Sequence, residues 1–201
     1  MKSKQANLSP YSPPEAYNPP KVDDIPYEEL HPFLQSLIDE HKKYDKKIID
    51  FEETLTLIEN GKVDKEIDKR LRDFFEYFDE EVRTHHLEEE KTLFAPISAK
   101  MKERGDQSKG TEDFNAIDIL EDEHIKSIQM AAVTFNLFAL FARIPDERSR
   151  IIILDTALEQ AKAFVELLKL HIFREDTMIF SYAQRHLSAE ELDEMKTKKG
   201  L

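Results

Sequence analysis

The sequence predicts an all-α protein: an antiparallel up-down four-helix bundle with an extended Pro-rich N-terminal arm and a short C-terminal helix. Three observations carry this. Four stretches place apolar residues at the 3/4 spacing of an amphipathic helix. Only four glycines occur in 201 residues while 35% are charged, a balance suited to long regular helices rather than a turn-rich sheet. Short links between the stretches make successive helices antiparallel neighbours. With 40% hydrophobic residues, the length suits one domain with a sizeable core.

Residues 1–26 form the arm, with prolines at 10, 13, 14, 19, 20 and 26. Proline lacks an amide donor and fixes φ, so this segment is extended, either disordered or draped over the bundle through Tyr11, Tyr17 and Val22. The bundle is expected over 27–187. Its first helix, after a possible break near Pro32, presents Leu34, Leu37, Ile38, His41, Tyr44, Ile48, Phe51, Leu55 and Ile58. It stops at Asn60-Gly61, because glycine accepts the left-handed conformation at a helix end. The second helix runs from about Asp64 to Phe94, with Ile67, Leu71, Phe74, Phe75, Phe78, Val82, His85, Glu89 and Leu93 on one face. Pro96 is expected to kink or end it, with a last turn continuing toward Arg104, and 104–110 reads as a solvated connection. The third starts near Thr111 or Glu112, presents Ile117, Leu120, His124, Ile128, Ala131, Phe135 and Phe138, and stops at Ile144-Pro145. The fourth runs from near Asp146 through Ala157, Phe164, Leu168, His171 and Glu175 to about His186. In the remaining segment, 188–201, the run Ser188-Ala189-Glu190-Glu191 is a capping box that opens a short helix.

A net charge of −13 argues against nucleic acid or an anionic membrane surface as partner, since both would repel the chain. No cysteine is present, so disulfides, thiolate metal sites and iron–sulfur clusters are excluded, and any metal must be held by nitrogen and oxygen. No apolar run approaches the roughly 18 residues of a membrane span and no apolar segment follows the N-terminal lysines. A cytoplasmic protein is the plain expectation.

One ten-residue pattern occurs twice, as His85-His86-Leu87-Glu88-Glu89-Glu90-Lys91-Thr92-Leu93-Phe94 and as His171-Ile172-Phe173-Arg174-Glu175-Asp176-Thr177-Met178-Ile179-Phe180. Each reads H-x-x-x-E-[E/D]-x-x-[L/I]-F. Residues four apart share a helix face, with Cβ atoms about 5–6 Å apart, so each copy offers an imidazole and a carboxylate together. His41 and His124 sit early in the two helices that lack the pattern, while His85 and His171 sit late in theirs. In an antiparallel bundle all four reach the same level. Two metals about 3.5–4 Å apart, bridged by carboxylates, would use His41, His85, Glu89, His124, His171 and Glu175 well. Mixed imidazole and carboxylate donors suit iron best, with manganese or zinc as alternatives. Singly each histidine reads as a core residue satisfied by a nearby acid, but four histidines and two carboxylates at one level are costly to bury without a cation.

This ordered set, spread over roughly residues 31–186, resembles the hemerythrin-like family, the HHE cation-binding domain. The resemblance implies a four-helix bundle around an oxo- or hydroxo-bridged non-haem di-iron centre, with roles in dioxygen binding, oxygen or iron sensing, or handling of nitric oxide and damaged iron centres. The chain departs from the oxygen carriers of that family. Ile128 stands where they have a second third-helix histidine, and the last motif is HxxxE rather than HxxxxD. Water, His86 or Tyr44 could fill the missing position. Between His85 and His86, phase with Phe78 and Val82 favours His85 as ligand, leaving His86 half-exposed beside acidic neighbours. Glu90, Asp176, Glu121 and Glu123 read first as solvated charges and second as partners of ligating imidazoles. His31 is a weak outer candidate and His186 a surface residue, and the phenylalanines Phe74, Phe75, Phe78, Phe135, Phe138 and Phe141 read as core packing. The leading expectation is a protein that binds or senses dioxygen, nitric oxide or iron; the rival is a redox enzyme or iron-centre repair protein using the same site.

Overall fold

The computed structural model describes residues 25–106 and 115–199, so the expected contacts of Tyr11, Tyr17 and Val22 lie outside the described residues. No strand occurs among those described. Helix α1 (Pro32–Glu59) follows a 3-10 turn at Tyr27–Glu29. Pro32 takes the first helical position, where a missing amide removes no bond, and His31 caps the helix by accepting from the Phe33 amide through Nδ1 at 3.3 Å. The irregularity expected at Pro32 is thus the helix start. Gly61, at φ 82°, ends it in the left-handed conformation.

The second rod is continuous over 65–104. It comprises α2 (Lys65–Tyr77), α3 (Arg83–Glu89) and α4 (Ala95–Arg104), joined by π-helical turns at Phe78–Val82 and Glu90–Phe94. Asp64 caps it by accepting from the Glu66 and Ile67 amides. Pro96 does not end this rod: it lies in the first turn of α4, directly after a π turn, where the helical hydrogen-bond register already shifts. Helix α5 (Ala116–Phe141) begins with a capping box between Asn115 and Asp118; the start expected at Thr111 or Glu112 falls outside the described residues. The fourth rod is α6 (Glu147–Arg174), a third π turn (Glu175–Ile179) and α7 (Phe180–His186). Reciprocal bonds between Ser188 and Glu191 open α8 (Ala189–Lys199).

Contacts between rods fix their directions. Arg70 reaches Glu53 while His85 meets His41; Lys162 pairs with Glu59, Lys169 with Glu52 and Asp176 with His41. Each rise in one rod is a fall in its neighbour, which is the antiparallel order. Phe135 against Phe75, and Asn115 against Ser98, set the second and third rods the same way.

Two apolar clusters fill the interior. One holds Ile48, Phe51, Phe74, Phe78, Phe164 and Leu168 among others, with Phe51 stacked on Phe74 at 3.9 Å. The other holds Phe33, Leu37, Phe94, Ile97, Leu120 and Phe180, together with Leu192 and Met195 of α8. Each fully buried large side chain stabilises the fold by about 1.5–3 kcal/mol. The inner face of α5 differs from the expected one: Ile128 and Phe135 are 41% and 45% exposed, while Ser127 and Thr134 point inward. The inward series is Ile117, Leu120, His124, Ser127, Ala131, Thr134, Phe138. Two small polar residues on that series make an apolar count choose the wrong neighbours. No helix among the described residues is long and apolar enough to cross a membrane.

Candidate metal centre

Between the two apolar clusters lies a layer of buried imidazoles and carboxylates: His41, His85, His86, Glu89, Glu123, His124, His171 and Glu175. All six residues expected from the sequence meet there. His41 and His85 face each other with Nε2 atoms 3.0 Å apart, and so do His124 and His171. Glu89 and Glu175 lie between the pairs. Glu89 Oε2 is 3.2 Å from His85 Nε2 and 3.9 Å from that of His124. Glu175 offers Oε2 to His41 at 3.3 Å and Oε1 to His171 at 3.3 Å. Two overlapping donor sets result, His41-His85-Glu89-Glu175 and Glu89-His124-His171-Glu175, each with its donor atoms within 4.8 Å of one another.

The halves are related residue by residue. Glu40-His41 on α1 repeats as Glu123-His124 on α5, and His85 to Glu90 repeats as His171 to Asp176. Each ligand-type histidine donates its Nδ1–H to its own carboxylate: His85 to Glu40 at 2.8 Å, His171 to Glu123 at 3.2 Å, His41 to Asp176 at 2.7 Å and His124 to Glu90 at 2.8 Å. A carboxylate can only accept, so the proton sits on Nδ1 and the Nε2 lone pair turns inward. The final phenylalanine of each motif copy closes the layer: Phe94 stacks on His124 and Phe180 on His41. Both motif copies run into π turns, whose extra residue per turn lets consecutive acids, Glu89-Glu90 and Glu175-Asp176, both face the layer.

A pair of cations fits this arrangement. Two imidazole lone pairs facing at 3.0 Å repel unless something positive lies between them, and both oxygens of Glu89 and of Glu175 are buried without a hydrogen bond. Such groups are costly to bury alone. Electrostatics point the same way. Burial pushes the His41 imidazole down, but Asp176, Glu175 and Glu89 overcome this and raise it to about 10; His85 is raised likewise against its burial by Glu89 and Glu40. In the other half burial and neighbouring imidazoles lower His124 to about 4 and hold His86 well below the ordinary range. Burial also pushes the Glu175 carboxyl upward, yet His171 and His41 keep it well below the usual carboxylate range. Protons drawn to one half thus balance the buried carboxylates, a task that bound cations would take over.

A family model for the hemerythrin HHE cation-binding domain matches residues 33–183. The chain belongs to that family. Searches of curated proteins and of solved structures return no match. This HHE domain differs from the sequence expectation in four respects. His86, expected half-exposed, is 4% exposed, stacks on His124 with ring centres 3.9 Å apart, and forms a third possible donor group with His124 and His171. Ile128, on the outer face of α5, points away from the layer, and His86 offers the extra nitrogen instead. Glu40 was not singled out by the sequence reading, although its signal exists: the dipeptide Glu-His occurs at both 40–41 and 123–124. Finally, Glu90, Glu123 and Asp176 accept from the imidazoles, while His31 serves as a helix cap facing Asp193.

Proposed function

We propose that the protein holds two iron ions, one at His41 and His85 and one at His86, His124 and His171, with Glu89 and Glu175 spanning both, and that it takes up a diatomic ligand, dioxygen or nitric oxide. The supporting observation is a cavity of about 20 Å³ against the layer, lined by His41, His85, His86 and His171 together with apolar neighbours such as Phe78, Val82 and Ile172. Drug-sized ligands need roughly 300–1,000 Å³, so this space favours a ligand of two or three atoms. Nitrogen donors are uneven, two on one side and three on the other, so an ion at His41 and His85 would be the less saturated one, and the cavity reaches histidines of both sides. What iron supplies when bound is a Lewis-acidic, electron-rich position. The chain's part is to orient Nε2 donors through Glu40, Glu90, Glu123 and Asp176, and to keep water out with Phe94, Phe180 and the two apolar clusters.

The rival reading, a redox enzyme or repair protein on the same centre, calls for room for a larger substrate beside the metals. A larger cavity, about 150 Å³, lies between Ile58, Leu71, Phe75, Phe135 and Phe138 and touches no residue of the layer. Anaerobic loading with ferrous iron followed by optical and electron paramagnetic spectra under nitric oxide and then dioxygen tests the reading. The expected result is a new absorption with either gas, reversed on its removal. Spectra of the loaded protein that ignore both gases would refute gas binding.

A further inference from the structure

Besides the His86/Ile172 difference, the two halves differ in the cation behind one carboxylate. In the second half Glu123, which holds His171, is ion-paired with Arg174, three residues beyond His171 on the same helix, and both are buried. In the first half Glu40 holds His85, and the residue matching Arg174 is Glu88. An acid there supplies no positive charge. The cation arrives instead from outside the four rods. Lys199, at the end of α8, sets Nζ 2.7 Å from the Glu40 oxygen that accepts from His85 and 3.7 Å from Glu88 itself.

The side chain of Lys199 is 5% exposed. A lysine at a helix end ordinarily keeps its flexible stem and hydrated ammonium in water, so burial against two carboxylates marks a built contact. Helix α8 is seated for it. Leu192 and Met195 enter the apolar cluster beneath the layer, and Asp193 faces His31 at 3.4 Å.

We propose that Lys199 is a positioning residue of the metal centre, doing for His85 through Glu40 what Arg174 does for His171 through Glu123, so that α8 acts as a clasp coupled to metal retention. The proposal rests on the metal-pair reading above. Glu40 is only partly buried, and without the ammonium it is free to swing toward solvent and release the His85 ring. A cation on Nε2 polarises the Nδ1–H bond to Glu40 and so strengthens the hold on Lys199. Coupling of this kind is reciprocal: metal seats α8, and a seated α8 retains metal.

The test loads the wild type, Lys199→Met, Lys199→Arg and the double variant Lys199→Met/Glu88→Arg with ferrous iron. It then counts iron per chain, follows release to excess chelator, and compares hydrogen exchange over 189–199 with and without iron. Outer partners of ligating histidines typically change metal affinity 10–100-fold. Lys199→Met should therefore release one of its two irons about tenfold faster, with Lys199→Arg near wild type. Glu88→Arg, which puts the cation where the second half has it, should restore retention. Iron should slow exchange in α8 of the wild type and leave it unchanged in Lys199→Met. The exchange arm needs no variant, so it decides even where Lys199→Met fails to fold. Wild-type release rates in Lys199→Met, or α8 exchange in the wild type that is indifferent to bound iron, would overturn the clasp while leaving the metal pair intact. A wild type that binds no iron would overturn the metal pair itself and the clasp with it.

Discussion

In the first half of the chain the residue after the second-rod histidine is His86; in the second half the matching residue is Ile172. Both are buried and both line the cavity, but His86 also packs against the rings of His124 and His171. One difference within a duplicated motif thus makes two otherwise equivalent donor sets unequal, with an extra nitrogen on one side and an apolar side chain on the other. The same comparison separates what the halves share, two carboxylates that span both sites and a carboxylate behind every imidazole, from what makes them different.

The shared features should matter most. Glu89→Ala or Glu175→Ala removes a carboxylate common to both donor sets, and each is expected to lose most of the bound iron, at least about a hundredfold in affinity. Competition with a chelator of known affinity measures this. Glu90→Ala and Asp176→Ala touch the imidazoles from outside and should weaken binding less, nearer tenfold; equal losses in all four variants would dissolve the distinction between spanning and supporting acids.

The asymmetry is broken next by His86→Ile, which makes the first half read like the second. One of the two irons should weaken by about ten- to a hundredfold with the other near its wild-type affinity, seen as a biphasic titration. Equal weakening of both phases would place His86 outside the coordination of either ion.

Metal removal sharpens the contrast between the layer and its surroundings. Stripped of cations, the layer must admit water, and amide exchange should rise near His41, His85, His124 and His171. Segments 48–58 and 151–163, remote from the layer, should keep their protection. Uniform loss along all four rods would show that the metal holds the whole fold. The smallest effect on the centre belongs to Phe164→Ala, in the cluster with Phe74 and Phe78. It should cost about 3–5 kcal/mol of stability in urea unfolding and leave iron stoichiometry unchanged.

Most of the fold was legible because its signals are local: the capping box at Ser188, helix starts near Asp64 and Asp146, the glycine stop at Gly61, and long 3/4 apolar series. Four of the histidines and two of the glutamates were legible because i, i+4 spacing and antiparallel order suffice to bring them to one level. His86 was not, because a single helical phase admits His85 or its neighbour, whereas π turns at Phe78–Val82 and Glu90–Phe94 re-phase the rod and bury both. Ile128 and Phe135 misled for a related reason: Ser127 and Thr134 occupy inner positions that hydrophobicity alone assigns elsewhere. The Glu40–Lys199 link joins residues on the first and last helices, and nothing local in either segment announces it.

The central claim is that one layer of this HHE domain binds a pair of ions rather than burying histidines for packing. Anaerobic titration of the metal-free protein with ferrous iron, read as iron retained per chain after gel filtration, tests it most directly. Two irons per wild-type chain, with most of that iron lost in Glu89→Ala, is the predicted result. Retention of no iron by the wild type, or of two irons by Glu89→Ala and Glu175→Ala alike, would contradict it.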